Sequence, residues 1–249
     1  MYNQRQQRII EQVTDTGEVR VAELKERYEV TEMTIRRDLE KLEHHGVIRR
    51  TFGGAILTYA DLALSERASL YMEEKRAIGK KAASLVQAGE SIYIDGGTTT
   101  LQIAKHVAMD PSITIVTNAL NIATELIDKH IPTMIIGGMV VEATSSAVGP
   151  LAIEAMSKMA FDRIFLGTTG VSILQGFSNS NMYEADLKRL AIRRATEVNI
   201  VTDHTKFGVK SLVSFAEFTQ VDRIISSQWP DEELQQACLE AHVELIVVT

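Results

Sequence analysis

The chain has one cysteine, Cys238, and only four prolines among 249 residues. A lone thiol makes no intrachain disulfide and leaves no cysteine cluster for a metal. So little proline argues against long disordered stretches. No apolar run approaches the ~20 residues that span a bilayer. The opening MYNQRQQRII also lacks the apolar core of a signal peptide. Histidine is sparse as well. His44 and His45 are neighbours and point about 100° apart on a helix, while His106, His130, His204 and His242 are scattered without ligand spacing. These absences predict a cytoplasmic protein with no membrane partner, no metal and no cofactor. What remains is an ordinary globular balance, 45% hydrophobic and 24% charged. The length is about 1.7 times the ~150-residue domain norm, which predicts two domains.

A cationic excess is missing too, since the net charge is −7. Its distribution matters more than its sum. Residues 1–57 carry ten Lys/Arg and ten Asp/Glu, and the rest carry 16 against 23. The acidity belongs to the larger part. Arg36, Arg37, Lys41, Arg49 and Arg50 crowd one end of the neutral part, and a local basic face binds phosphates whatever the global charge.

Residues 4–16 read as a helix stopped by Gly17, with Ile9 and Val13 on one face. A short helix near Ala22–Tyr28 follows, then a tight turn at Glu29-Val30. Thr31 is placed to cap a helix that runs to about His45 and ends at Gly46. Ile35, Leu39 and Leu42 form its buried stripe, which turns Met33, Arg36, Arg37 and Glu40 outward. Two helices across a tight turn, the second bearing paired arginines, is helix-turn-helix organisation. Arginine suits the position because its planar fork holds guanine or phosphate with two bonds. Residues 47–51, 52–54 and 55–57 then read as strand, glycine turn and strand, a wing that brings Arg50 toward a DNA backbone.

The runs Val19-Arg20-Val21-Ala22-Glu23-Leu24, Val30-Thr31, Thr34-Ile35-Arg36-Arg37-Asp38-Leu39 and Gly53-Gly54-Ala55 resemble the N-terminal domain of the DeoR family of bacterial transcription regulators. Phe52 stands where that family commonly has histidine. The resemblance implies a recognition helix from Thr31 to about Leu42. The expected DNA-binding residues are Thr31, Met33, Thr34, Arg36, Arg37, Lys41, Arg50, Phe52 and Gly53.

Residues 58–74 read as a connector, and from Lys75 the pattern changes. Apolar strands are expected at 91–94, 113–116, 133–136, 164–166, 198–201, 223–225 and 244–248. Helices are expected at 98–107, 120–129, 151–158, 183–196 and 231–241, after one through Ala77, Ala82 and Val86. Such alternation predicts an α/β domain, 75–249, with a mostly parallel sheet covered on both faces. Small molecules bind beyond the carboxyl ends of such strands. Those ends are polar and glycine-rich here: Asp95-Gly96-Gly97-Thr98-Thr99-Thr100, Thr117-Asn118, Gly137-Gly138, Gly167-Thr168-Thr169-Gly170 and Asp203-His204-Thr205-Lys206. The first offers glycines, hydroxyls and a helix N-terminus, which is what a phosphate needs. No complete Walker A pattern occurs and no G-x-G-x-x-G follows a strand, which disfavours nucleoside triphosphates and dinucleotides.

The DeoR resemblance extends through this region, with Tyr183-Glu184-Ala185, Lys188-Arg189 and Lys206-Phe207-Gly208 among its matches. It implies a sensor domain similar to the ribose-phosphate isomerase and CoA-transferase superfamily, taking a phosphorylated sugar. Asp95, Gly96, Gly97, Thr98, Thr99, Thr100, Asn118, Gly138, Glu184, Lys188, Asp203 and Lys206 are the expected effector-binding residues. Segment 176–181, Gly-Phe-Ser-Asn-Ser-Asn, departs from the usual pattern. Three readings compete: an effector-responsive regulator, an isomerase-like enzyme that also binds DNA, and a constitutive architectural DNA binder. The attached DNA-binding domain and the polar strand ends favour the first, a repressor of a carbohydrate operon. Paired half-sites then require a homodimer or higher even oligomer on double-stranded operator DNA.

Overall fold

In the computed structural model the described residues are 3–44, 48–57 and 64–248. His45, the Gly46 stop, Val47 of the expected wing and residues 58–63 of the expected connector lie outside them. The chain divides into two compact units, 1–71 and 72–249.

The first unit packs three helices, α1 (Gln4–Thr16), α2 (Val21–Tyr28) and α3 (Glu32–His44), against a small sheet. Asn3 caps α1 through a reciprocal pair of bonds with Gln6, and Gly17 ends it in the left-handed region. Thr31 Oγ1 accepts the Thr34 N–H at 3.3 Å, so it caps α3 as its side-chain chemistry allows. Ile35, Leu39 and Leu42 are buried with Ile9, Val13, Leu24 and Ile48. The wing strands β2 (Ile48–Arg50) and β3 (Gly54–Leu57) pair as expected. A third strand, β1 (Glu18–Arg20), adds to β3 and completes a β1-β3-β2 sheet. Three residues are too short to show alternation, so β1 has no signature in the sequence. Its pairing nevertheless requires Gly54. A Cβ there would stand 1.9 Å from the Val19 carbonyl oxygen. Helix α4 (Leu64–Ser69) closes the unit, with Leu70 buried in its core.

The second unit opens with α5 (Met72–Ala83) and alternates through β4 (Ser91–Ile94), α6 (Thr98–His106), β5 (Thr114–Thr117), α7 (Leu120–Asp128) and β6 (Thr133–Ile135). The hairpin β7 (Met139–Val141) and β8 (Ser146–Val148) follows, then α8 (Pro150–Ser157), β9 (Phe161–Leu166), β10 (Gly170–Ser172), β11 (Gly176–Asn179) and α9 (Met182–Arg193). The remainder is β12 (Ala195–Thr202), β13 (Val213–Ala216), β14 (Arg223–Ser226), α10 (Glu232–Glu240) and β15 (Glu244–Val247). Helix α9 stops short of the expected Thr196, because Ala195 already pairs with Phe161 of β9.

Seven strands make one sheet in the order β15-β14-β12-β9-β4-β5-β6, every pair parallel. Alternate residues feed opposite faces. Ile92, Ile94, Phe165 and Val201 pack with α5, α6 and α7, while Tyr93, Ile164, Leu166 and Ile200 pack with α8, α9 and α10. Fully burying each such side chain is worth roughly 1.5–3 kcal/mol. The amino-terminal edge is closed by ions: Arg163 meets Glu90 at 3.0 Å and also Glu197, and Glu197 is shared with Arg223. The chain runs outward through β4, β5 and β6, then returns to β9 on the other side of β4. That reversal lies between β4 and β9, where open α/β sheets leave a crevice.

The close approach at the wing yields a test. Gly54→Ala forces a Cβ against a backbone carbonyl and should lower stability by roughly 1–3 kcal/mol or more. Gly53→Ala meets open space and should stay within about 0.5 kcal/mol. Urea unfolding followed in the first unit measures both. Equal effects would show that the β1–β3 contact does not govern the wing.

Candidate functional site

Helix α3 presents two rows of side chains to solvent. Met33, Arg37 and Lys41 follow one another at four-residue spacing, as do Glu32, Arg36 and Glu40, and all six are exposed. The rows differ in electrostatics. Arg36 is bonded to Glu32, with Nη2 at 2.6 Å and Nε at 2.8 Å from Oε1. Among the described residues Arg37 makes no ion pair, and its side chain is exposed. Thr31 and Thr34 hydroxyls engage each other at 2.9 Å at the start of the helix. On the inner face the sequence reading passes over one residue, Asp38. It is buried, accepts from Gln6 Nε2 at 2.8 Å and holds Arg5 Nε at 2.5 Å, fixing α3 to α1.

The wing stands across a cleft of about 420 Å³ lined by Arg36, Leu39, Glu43, Arg50 and Phe52 among others. Arg50 is tied to α3. Its Nε lies 2.7 Å from Glu43 Oε2 and its N–H donates to Oε1 at 2.8 Å. Burial works against ionisation of Glu43, but the Arg50 bonds and charge win and hold its carboxyl below the usual range. Gly53 is exposed and accepts the Val21 N–H at 2.8 Å. Phe52 is wholly exposed.

In the second unit the crevice is organised by α9. Asn181 caps it, accepting from the Tyr183 and Glu184 N–H groups. Glu184 and Lys188, one turn apart, are then buried on one face. Lys188 Nζ donates to the Gly167 carbonyl at 2.7 Å and to Asn179 Oδ1 at 2.9 Å, and lies 3.1 Å from Asp95 Oδ2. Those three partners use its three protons. It also stands 5.0 Å over the Phe215 ring. Glu184 accepts from Asn179 Nδ2 and from Thr144 Oγ1, and Asp95 Oδ2 also takes the Gly167 N–H at 3.3 Å. The structure thus joins Asp95, Glu184 and Lys188, with Asn179 and Thr144 added. Asn179 lies inside the atypical segment 176–181, which was the available signal; Thr144 gave none.

Beside this cluster, Gly96 packs where a Cβ would fall 1.9 Å from Ser146 Oγ. Gly97 begins α6 with no side-chain cap, so the first-turn N–H groups at Thr98, Thr99 and Thr100 face the crevice end of the helix uncapped. Asn118 is otherwise engaged. Its Oδ1 accepts from Tyr93 and its Nδ2 donates to the Ala147 carbonyl, both at 3.0 Å. Gly138 lies against Val148 at the start of the β7–β8 hairpin. Neither enters the Lys188 cluster.

Asp203 and Lys206 occupy the end of β12, two strands from β4 and so about 10 Å across the sheet. Asp203 caps a helical turn, accepting from Thr205 N–H at 3.1 Å. Burial opposes its charge, yet Lys206 and Lys75 outweigh that and hold the carboxyl below its ordinary value. Next to it His204 Nδ1 lies 2.8 Å from Glu74 of α5.

Residues 5–59 match the model of the DeoR-like helix-turn-helix domain, and residues 71–228 match that of the DeoR C terminal sensor domain. The chain is 32% identical to the HTH-type transcriptional regulator GlpR of Haloferax volcanii, covering 98% of this chain and 96% of that one. It is also 32% identical to the lactose phosphotransferase system repressor of Streptococcus mutans, with 98% of each covered. Ribose 5 phosphate isomerase A from Neisseria gonorrhoeae superposes on 58% of the chain and 55% of its own, at TM-score 0.41 and 14% identity, too slight a likeness to carry an argument.

Two outcomes are expected. Arg37→Ala should weaken selected-duplex binding by roughly 1–3 kcal/mol and relax one base position if the contact is bidentate. Arg36→Ala should cost less, since Glu32 already holds that guanidinium; a reversed ranking in fluorescence anisotropy counts against the row assignment. The second concerns Asp95, which burial first, and then the charge of Glu184, raises from 3.8 to about 6 against the pull of Lys188. Between those values the folded chain keeps a proton that the unfolded chain has released, so stability falls as pH rises through the window. The loss is about 3 kcal/mol. Asp95→Asn should flatten that slope in urea titrations at pH 4 and pH 7, and an unchanged slope would assign it to other groups.

Proposed function

The chain belongs to the DeoR family of transcriptional regulators, and from that premise we propose a cytoplasmic repressor of a carbohydrate-utilisation operon whose operator binding responds to a phosphorylated sugar. The observation that carries the effector half is the uncapped N-terminus of α6 beside the buried Asp95–Lys188 pair. Helix N–H groups and the Thr98 and Thr99 hydroxyls would hold the phosphate, while Thr100, whose hydroxyl donates to the Gly97 carbonyl at 3.1 Å, would offer its backbone N–H. Asp95 Oδ1, which takes no part in the bonds to Lys188 and Gly167, would accept a sugar hydroxyl. Lys206, at the end of β12, would face the other side of the ligand. Gly96, Gly97, Asn118, Gly138, Glu184, Lys188 and Asp203 would shape or support this pocket.

Regulation accounts for the cluster better than catalysis does. Isomerisation needs a base free to take a C–H proton. Both Glu184 oxygens already accept hydrogen bonds and Lys188 has spent its protons, so of these three side chains only Asp95 Oδ1 is left, and the regulator reading gives it to a sugar hydroxyl. On the DNA side, Thr31, Met33, Thr34, Arg37 and Lys41 would meet base edges and phosphates, with Arg36, Arg50, Phe52 and Gly53 at the cleft between helix and wing. One recognition helix reads few base pairs, so a homodimer or higher even oligomer would read paired half-sites.

The test uses Thr99→Val, which keeps the side-chain shape and removes one donor. Operator binding should persist while its response to sugar phosphates is lost. If unphosphorylated sugars shift operator binding as strongly as their phosphates do, the phosphate reading is wrong.

A further inference from the structure

The turn of the wing has almost no chemistry with which to hold a phosphate. Residues 51–57, Thr-Phe-Gly-Gly-Ala-Ile-Leu, carry no charge. Arg50, just before them, is bonded to Glu43 through both Nε and its backbone N–H. Arg49 is half-buried and paired electrostatically with the same Glu43. Gly53 and Gly54 have no side chains to offer. What projects is Phe52, at 102% exposure, the fullest of any large apolar residue described.

This ring is presented, rather than merely uncovered. The turn beneath it is bonded: Thr51 N–H donates to the Gly54 carbonyl at 3.0 Å, and Val21 N–H donates to the Gly53 carbonyl at 2.8 Å. The backbone at Gly54 is wedged against β1. A fixed turn therefore holds an aromatic side chain in water on the rim of the cleft that Arg36 of α3 also lines. With α3 in a major groove, a projection beside it faces the sugar-phosphate ridge and the adjoining minor groove. Phenylalanine is among the side chains that enter a minor groove as apolar wedges and part a base step.

We propose that Phe52 enters the minor groove flanking the recognition-helix site and partly unstacks one base step in each half-site. The inference rests on DNA binding by the first unit and adds to it a specificity determinant that acts through deformability. Pyrimidine–purine steps part most easily, so a TA or CA/TG step is expected at that position.

The experiment uses the full chain and a duplex that it selects from a random-sequence library, with 2-aminopurine replacing single adenines across the site. Binding of the parent chain should raise fluorescence at one step per half-site. Phe52→Ala should abolish the rise, weaken binding roughly tenfold and leave the salt slope unchanged, because stacking rather than a phosphate contact is lost. Phe52→Leu, still an apolar wedge, should keep most of both signals. Three results overturn the proposal: no localised rise with the parent chain, a rise that survives Phe52→Ala, or affinity restored by Phe52→Lys but not by Phe52→Leu. Failure of the DNA-binding reading itself looks different, since the parent chain would then select no duplex.

Discussion

A parallel sheet places every strand's carboxyl end on one edge, and the reversal of strand order between β4 and β9 opens that edge at one point. Asp95 leaves β4 there and Gly167 leaves β9. Lys188 ties both together and reaches Asn179 as well. An ammonium taken so far out of water is tolerated only because each of its protons finds an acceptor. Removing any one acceptor leaves a buried charge short of a partner, so the ends of β4, β9 and β11 and the face of α9 depend on each other. Glu184 extends the chain of bonds to Thr144 in the β7–β8 connection. The polar floor of the crevice is thus bonded within itself, and the uncapped start of α6 stands beside it.

The first unit solves a parallel problem with Asp38. A recognition helix must expose its cations and still hold a fixed angle. Ile35, Leu39 and Leu42 supply apolar burial, which is non-directional, whereas the bonds from Asp38 to Gln6 and Arg5 are directional. Glu43 does the same for the wing by holding Arg50. Two acidic residues therefore set the geometry of the surface proposed to meet DNA, itself an anion, and neither is among the outward rows of α3.

All seven strands of the large sheet were legible because buried parallel strands are nearly continuous apolar runs, such as Ile92-Tyr93-Ile94 and Ile164-Phe165-Leu166. The strands that escaped notice, β1, β7, β8, β10, β11 and β13, are three or four residues long and antiparallel. Gly176-Phe177-Ser178-Asn179 carries too much polar content to read as a strand, yet pairing on both edges buries it. Among site residues, Glu184 and Lys188 were legible through family resemblance. Asp38 and Thr144 act through partners distant in the chain, which periodicity does not register, and Asn179 bonds α9 from the polar strand β11. Asn118 and Gly138 stand at strand ends as expected, Asn118 held by hydrogen bonds to Tyr93 and Ala147 and Gly138 packed against Val148.

Helix α5, which opens the second unit, holds Glu74 against His204 and sets Lys75 near Asp203 at the crevice edge. The start of this unit therefore shares charges with the strand ends assigned to the effector. A ligand alters operator binding only through unequal affinity for two states, and the coupling is reciprocal. The decisive measurement is the affinity of a sugar phosphate for the free chain and for the chain saturated with its selected duplex, by calorimetry. The account predicts affinities that differ by roughly fivefold or more, matching the shift that the sugar phosphate causes in duplex binding. Equal affinities in the two states would contradict it.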